Sequence, residues 1–187
     1  MNIRVLFLTL VLTTAVQASP TNGAAGWVSQ AILQMPDTLR TRMLAAIARG
    51  DFAEAISFWE LQTGRTAPQW LLALQSAFST TNQKTGPCIQ VARSVFEGFK
   101  QLGRKPSYVE FTTSGTHRGA NLIGFDLPVG ARSKTIQISE NAVHYAVQIE
   151  NRLYDAMTGP AGLPLAEYMA RLQSPGTLSM KIVSQLP

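Results

Sequence analysis

The chain has 187 residues, 45% of them apolar and 14% charged, enough to build a core and unlike a disordered chain. Its net charge of +5 comes from 16 basic residues spread without a run of five, and no aromatic-interleaved basic stripe accompanies them. That pattern gives no support for a nucleic-acid partner beyond bare charge, while anionic partners such as membranes or acidic proteins suit a basic surface.

The first eighteen residues, "MNIRVLFLTLVLTTAVQA", have a basic start at Arg4, an apolar run from Val5 to Val16 and a small-residue ending at Ala18. This is the pattern of a secretory signal peptide (residues 1–18) cleaved after Ala18. An uncleaved anchor is the alternative, but the apolar run is short for a span of about 20 residues. The mature protein is therefore expected to be secreted or periplasmic, with no stable membrane span.

Residues 19–81 read as a helical N-terminal region. Ser19 to Gly26 is a loose beginning rich in turn-forming residues. After Pro36, either Asp37 or Thr38 is a candidate cap for a helix carrying Leu39, Met43, Leu44 and Ile47. Arg49-Gly50-Asp51 marks a stop and a new cap, followed by Phe52, Ala55, Ile56 and Trp59 at helical spacing, ending near Gly64. A third helix in "TAPQWLLALQSAFSTTN" places Pro68 in its first turn and Trp70, Leu71, Leu74 and Phe78 on its core face.

From Thr85 the pattern changes. Ile89, Ala92, Val95, Phe96, Phe99 and Leu102 stripe one face of a helix that stops at Gly103. The stretches "SYVEFTT", "NLIGFDLPV", "KTIQIS", "VHYAVQIE" and "RLYDAM" then read as short strands, and "LPLAEYMARLQ" as a last helix. The order predicts an α+β fold with an antiparallel sheet.

The only cysteine, Cys88, opens the helix that follows Gly86-Pro87. Exported proteins that use cysteine structurally carry even numbers. Cys88 is thus an inert buried thiol, an intermolecular link or a nucleophile. A helix start favours the third, because its unpaired N–H groups and positive dipole stabilise a thiolate. One Cys and two His are too few for a zinc site, and neither metal nor cofactor is expected.

In "ENAVHYAVQIENRLYDAMTG", Tyr145, Val147 and Ile149 form the core face of a strand, and His144, Ala146 and Gln148 the other face. A two-residue turn at Glu150-Asn151 or Asn151-Arg152, using the tolerance of Asn for positive φ, puts Asp155 on the face of His144. With Ala146 opposite Asp155, the His–Asp pair is diagonal; a three-residue turn would put Asp155 on the wrong face. Taken singly, His144 reads as a satisfied strand residue and Asp155 as a turn former before Gly159-Pro160. His117, in the Gly-rich "TTSGTHRGANL", reads as an exposed loop residue bordering a cleft.

The joint order Cys, His, Asp on a helix followed by an antiparallel sheet resembles the papain-like cysteine fold. More narrowly, Gly86–Leu172 is similar to the papain-fold toxin domains of bacterial polymorphic toxins, through "CIQVARSVFEGFKQLG", "SENAVHYAVQIENRLYDAMT" and "GLPLAEYMARL". The resemblance implies a catalytic domain over residues 82–187. It makes Cys88 the nucleophile, His144 the base and then acid, and Asp155 the group orienting the imidazole. The oxyanion would be held by the Cys88 N–H and a side-chain amide, with Gln83 the candidate over Asn82. The implied activity is hydrolysis or deamidation of protein amides by a toxin or effector, with a protein substrate and an immunity or inhibitor protein as partners. The competing class is a non-enzymatic secreted binding module with a buried structural cysteine.

Overall fold

The elements alternate between stretches that repeat every three to four residues and stretches that repeat every two. The computed structural model describes residues 36–116 and 118–187. The expected signal peptide, the loose stretch 19–26 and His117 lie outside the described residues. Among those described, five α-helices, α1 (Asp37–Ala48), α2 (Phe52–Thr63), α3 (Gln69–Ala77), α4 (Cys88–Gln101) and α5 (Leu165–Arg171), accompany eight strands. These are β1 (Ser107–Ser114), β2 (Ile123–Val129), β3 (Arg132–Ser139), β4 (Val143–Ile149), β5 (Arg152–Tyr154), β6 (Leu163–Pro164), β7 (Leu172–Gln173) and β8 (Thr177–Val183). The class is α+β, as expected.

The helix boundaries follow local chemistry. Asp51 caps α2 by accepting the Glu54 N–H at 2.9 Å, and Gly64 ends it in the left-handed conformation at φ 64°. Two expected starts move by a residue. Pro36, extended at ψ 138°, precedes α1, so Asp37 is inside the first turn and pairs with Arg40 instead of capping. Pro68 stands just before α3, not in its first turn. Trp59 and Trp70 meet edge to face with centroids 5.9 Å apart, part of the helical core. α3 packs tightly on α4 at Gly98: a Cβ there would lie 2.8 Å from Leu74 Cδ2 and 2.9 Å from its Cβ, so glycine makes room for Leu74.

The strands form two sheets where one was expected. The larger has the order β6-β5-β4-β1-β8 and the smaller β3-β2-β7. A register shift between Ile123 and Gly124 interrupts the β2–β3 ladder, and β7 seals the other edge of β2. The C-terminal strand β8, which pairs along seven positions of β1, is an addition to the expected elements.

β4 sits between β1 and β5 and is covered on both faces. Phe96 of α4 stacks on Tyr108 and Phe99 packs tilted on Tyr154, and both tyrosines lie across from Val147 in register. On the opposite face Phe111, paired with His144, stacks on Tyr168 of α5 at 5.3 Å, and Tyr168 packs on Phe125 of the smaller sheet. His144 and Ala146 are therefore as buried as the residues beneath α4. Among the described residues no helix is long and apolar enough to cross a membrane.

Candidate active site

The hairpin β4–β5 turns on two residues, Glu150 and Asn151, since Ile149 pairs with Arg152 and Val147 with Tyr154. The left-handed residue is Glu150, at φ 55°, where the sequence pointed to asparagine. This register sets Asp155, one residue past β5, level with Ala146 and diagonal to His144. The diagonal closes: His144 Nε2 lies 3.0 Å from Asp155 Oδ2, both side chains almost wholly buried.

Asp155 is held by four donors. Its Oδ1 accepts the N–H groups of Met157 (2.8 Å) and Thr158 (3.0 Å), and its Oδ2 accepts the Tyr168 hydroxyl at 2.6 Å as well as the imidazole. The Oδ1 bonds bend the chain and end β5 at Tyr154, which is why "RLYDAM" yields only a three-residue strand. Asp155 thus turns the chain with one oxygen and reaches the imidazole with the other. Donation from Nε2 leaves Nδ1 as the ring's other nitrogen, and it is buried without a well-formed hydrogen bond.

Cys88 is the first residue of α4, behind Pro87, and is half-buried. It shares a small cavity with His144, Asp155 and Met157. Burial alone pushes its thiol up. The neighbouring imidazole, by hydrogen bonding and charge, and the backbone N–H groups of Tyr145 and Ile89 outweigh that and hold the thiol below its ordinary value. The reciprocal effect is seen at His144. Burial disfavours its charge, but Asp155 and then Cys88 raise it to about 9. Each group thus favours the charged form of the other. The Tyr168 hydroxyl, buried and beside the Asp155 carboxylate, stays protonated well beyond the usual phenol range and so remains a donor.

The structure brings Cys88, His144 and Asp155 together. No known family, curated protein or solved structure matches the chain. Gln83 sits beside the group but not in the wall of its cavity: its Nε2 donates to the Ala156 carbonyl at 3.1 Å. Asn82 does line that cavity, with its Nδ2 turned to the Ser76 and Ala77 carbonyls at the end of α3 (2.8 and 3.3 Å). Among the described residues no group of three His, Cys, Asp or Glu side chains is placed to hold a metal ion.

Tyr168 is the site residue that sequence reasoning missed. Leu165, Tyr168 and Leu172 follow helical spacing, which marks Tyr168 as a core aromatic but says nothing of where its hydroxyl points. The Tyr145 N–H aimed at the thiol is equally silent in sequence, because it belongs to the backbone.

Proposed function

We propose that this chain is a cysteine hydrolase of protein amides, a peptidase or glutamine deamidase with a papain-like arrangement, acting as an exported toxin or effector. The observation that carries the reading is the position of His144, with a buried carboxylate on one ring nitrogen and a lowered thiol against the ring. A half-exposed thiol at an open helix start also suits attack better than packing.

The chemistry follows from these groups. The Cys88 thiolate attacks the amide carbon; the C–S bond forms and the carbonyl electrons move to oxygen. The resulting oxyanion is met by the Cys88 N–H, one of the unpaired donors of the first helical turn. Collapse breaks the C–N bond, and the His144 imidazolium gives its proton to the departing amine or ammonia. Water, losing a proton to the now neutral imidazole, then opens the thioester and restores the ion pair. Asp155 keeps the ring oriented and stabilises its charged form. Activity is expected above the lowered thiol value and to fall as pH rises past about 9, where His144 loses the proton it must donate.

Thiol labelling tests the reading. Cys88 should react with iodoacetamide near neutral pH far faster than free cysteine, and Cys88→Ser should abolish turnover without unfolding the protein. Labelling no faster than in the denatured chain would instead favour a binding module with a structural cysteine. Mass spectrometry of candidate target proteins separates the two reactions: Gln converted to Glu marks a deamidase, a new chain terminus a peptidase.

A further inference from the structure

The space at Cys88 is too small to hold a substrate. Its cavity is about 10 Å³, room for little more than one water. A groove of about 260 Å³ lies beside it between α3 and α4, and Asn82 and Val91 line both spaces. Among the described residues lining the groove none is charged, although the chain as a whole carries +5. Gln69, Ser76, Gln90 and Ser94 contribute amides and hydroxyls, and Leu72, 40% exposed, contributes an apolar surface.

We propose that this groove seats an extended, uncharged stretch of the substrate polypeptide, next to the amide attacked by Cys88. The inference rests on Cys88 being the nucleophile. The α3 wall from Gln69 to Ala77 rises about 12 Å at 1.5 Å per residue, and an extended chain advances about 3.3 Å per residue. The groove therefore matches three or four substrate residues. Side-chain amides satisfy the N–H and C=O groups of such a chain, and Leu72 offers a contact for one apolar side chain. A charged substrate side chain would be desolvated there without an ion partner.

Two reagents with the same reactive group test this: iodoacetamide, and the neutral peptide N-iodoacetyl-Ala-Leu-Ala-amide. Their rate ratio at Cys88 isolates binding of the peptide part. The wild type should favour the peptide by about tenfold, equivalent to 1.4 kcal/mol. Leu72→Arg and Gln90→Arg, both at exposed positions, should each return the ratio toward one, whereas Leu61→Arg, at a position 85% exposed and outside the groove, should leave it alone. N-iodoacetyl-Ala-Asp-Ala-amide should show no preference over iodoacetamide. A ratio near one in the wild type, or one unmoved by both groove variants, overturns the groove assignment while leaving the nucleophile standing. Slow labelling by iodoacetamide itself is the separate result that overturns the nucleophile.

Discussion

Replacing Asp155 by asparagine removes a charge and leaves the shape. In Asp155→Asn the side-chain amide oxygen can still accept the Met157 and Thr158 N–H groups, which turns the amide nitrogen toward Tyr168 and His144. Amide N–H groups donate, so His144 Nε2 must become an acceptor. The ring proton then moves to Nδ1, the nitrogen left without a well-formed hydrogen bond, and the ring can no longer take a proton there from Cys88. Energetically, the elevation of His144 from 6.5 to about 9 corresponds to about 3 kcal/mol favouring the charged ring, with Asp155 the first of the groups that raise it. Without it the burial penalty dominates, the ring is neutral at pH 7, and the thiol loses its counterion. Iodoacetamide labelling at pH 6.5 should fall by up to about 100-fold. In the variant the rate should climb steeply through pH 8–9, while the wild type, its thiol lowered, should level off at a lower pH. Losing one partner of a buried pair costs about 3–5 kcal/mol, within the stability of an ordinary domain, so circular dichroism should still report a folded protein. A folded Asp155→Asn protein labelled as fast as the wild type, with the same pH profile, would refute the claim that the carboxylate sets the ring's proton.

Three further outcomes are expected. Tyr168→Phe removes one hydrogen bond to the buried carboxylate and should cost about 1.5–3 kcal/mol in urea denaturation. Labelling at pH 6.5 should nevertheless survive within a few-fold, because an Asp155 freed of that donor pulls harder on the imidazolium. Cys88→Ala should give stability a new pH dependence. In the wild type the raised His144 loses its contribution between pH 6.5 and 9, while the lowered Cys88 gains one as pH rises toward 9; the two run in opposite directions and partly offset. With the thiol gone, stability should decline as pH rises above 6.5, at up to about 1.4 kcal/mol per pH unit; a flat urea-midpoint profile would contradict this. Gly162→Ala combines a left-handed backbone, φ 65°, with a Cβ 2.6 Å from the Tyr154 ring, and should lower stability by about 2–4 kcal/mol in the same assay.

What was legible in the sequence was whatever local pattern determines. The helical stripe from Ile89 to Leu102 gave α4, and the alternation through His144 with a two-residue turn gave the diagonal that Asp155 completes. The face opposite Tyr145 is buried because α5 and the smaller sheet close over it, a tertiary fact that the alternation of β4 does not contain. Strand β8 did carry a signal, with Leu178, Met180 and Ile182 alternating, but its partner is β1, far away in the chain. Gln83 shows the opposite limit. Proximity in sequence put an amide near Cys88, and the fold spent that amide on the Ala156 carbonyl. The uncharged groove depends on how α3 and α4 cross, and so on Gly98 meeting Leu74, which no periodicity encodes.

The tight β4–β5 turn also bears on the order of assembly. His144 and Asp155 sit eleven positions apart on one hairpin, so they need only a short loop to find each other, an event of about microseconds. The sulfur arrives from a helix more than fifty positions upstream, and closing that longer loop is entropically harder. A half-folded chain is therefore expected to hold an imidazole–carboxylate pair with no thiol beside it. Pulsed alkylation during refolding should see the fast-reacting thiol emerge only at the end.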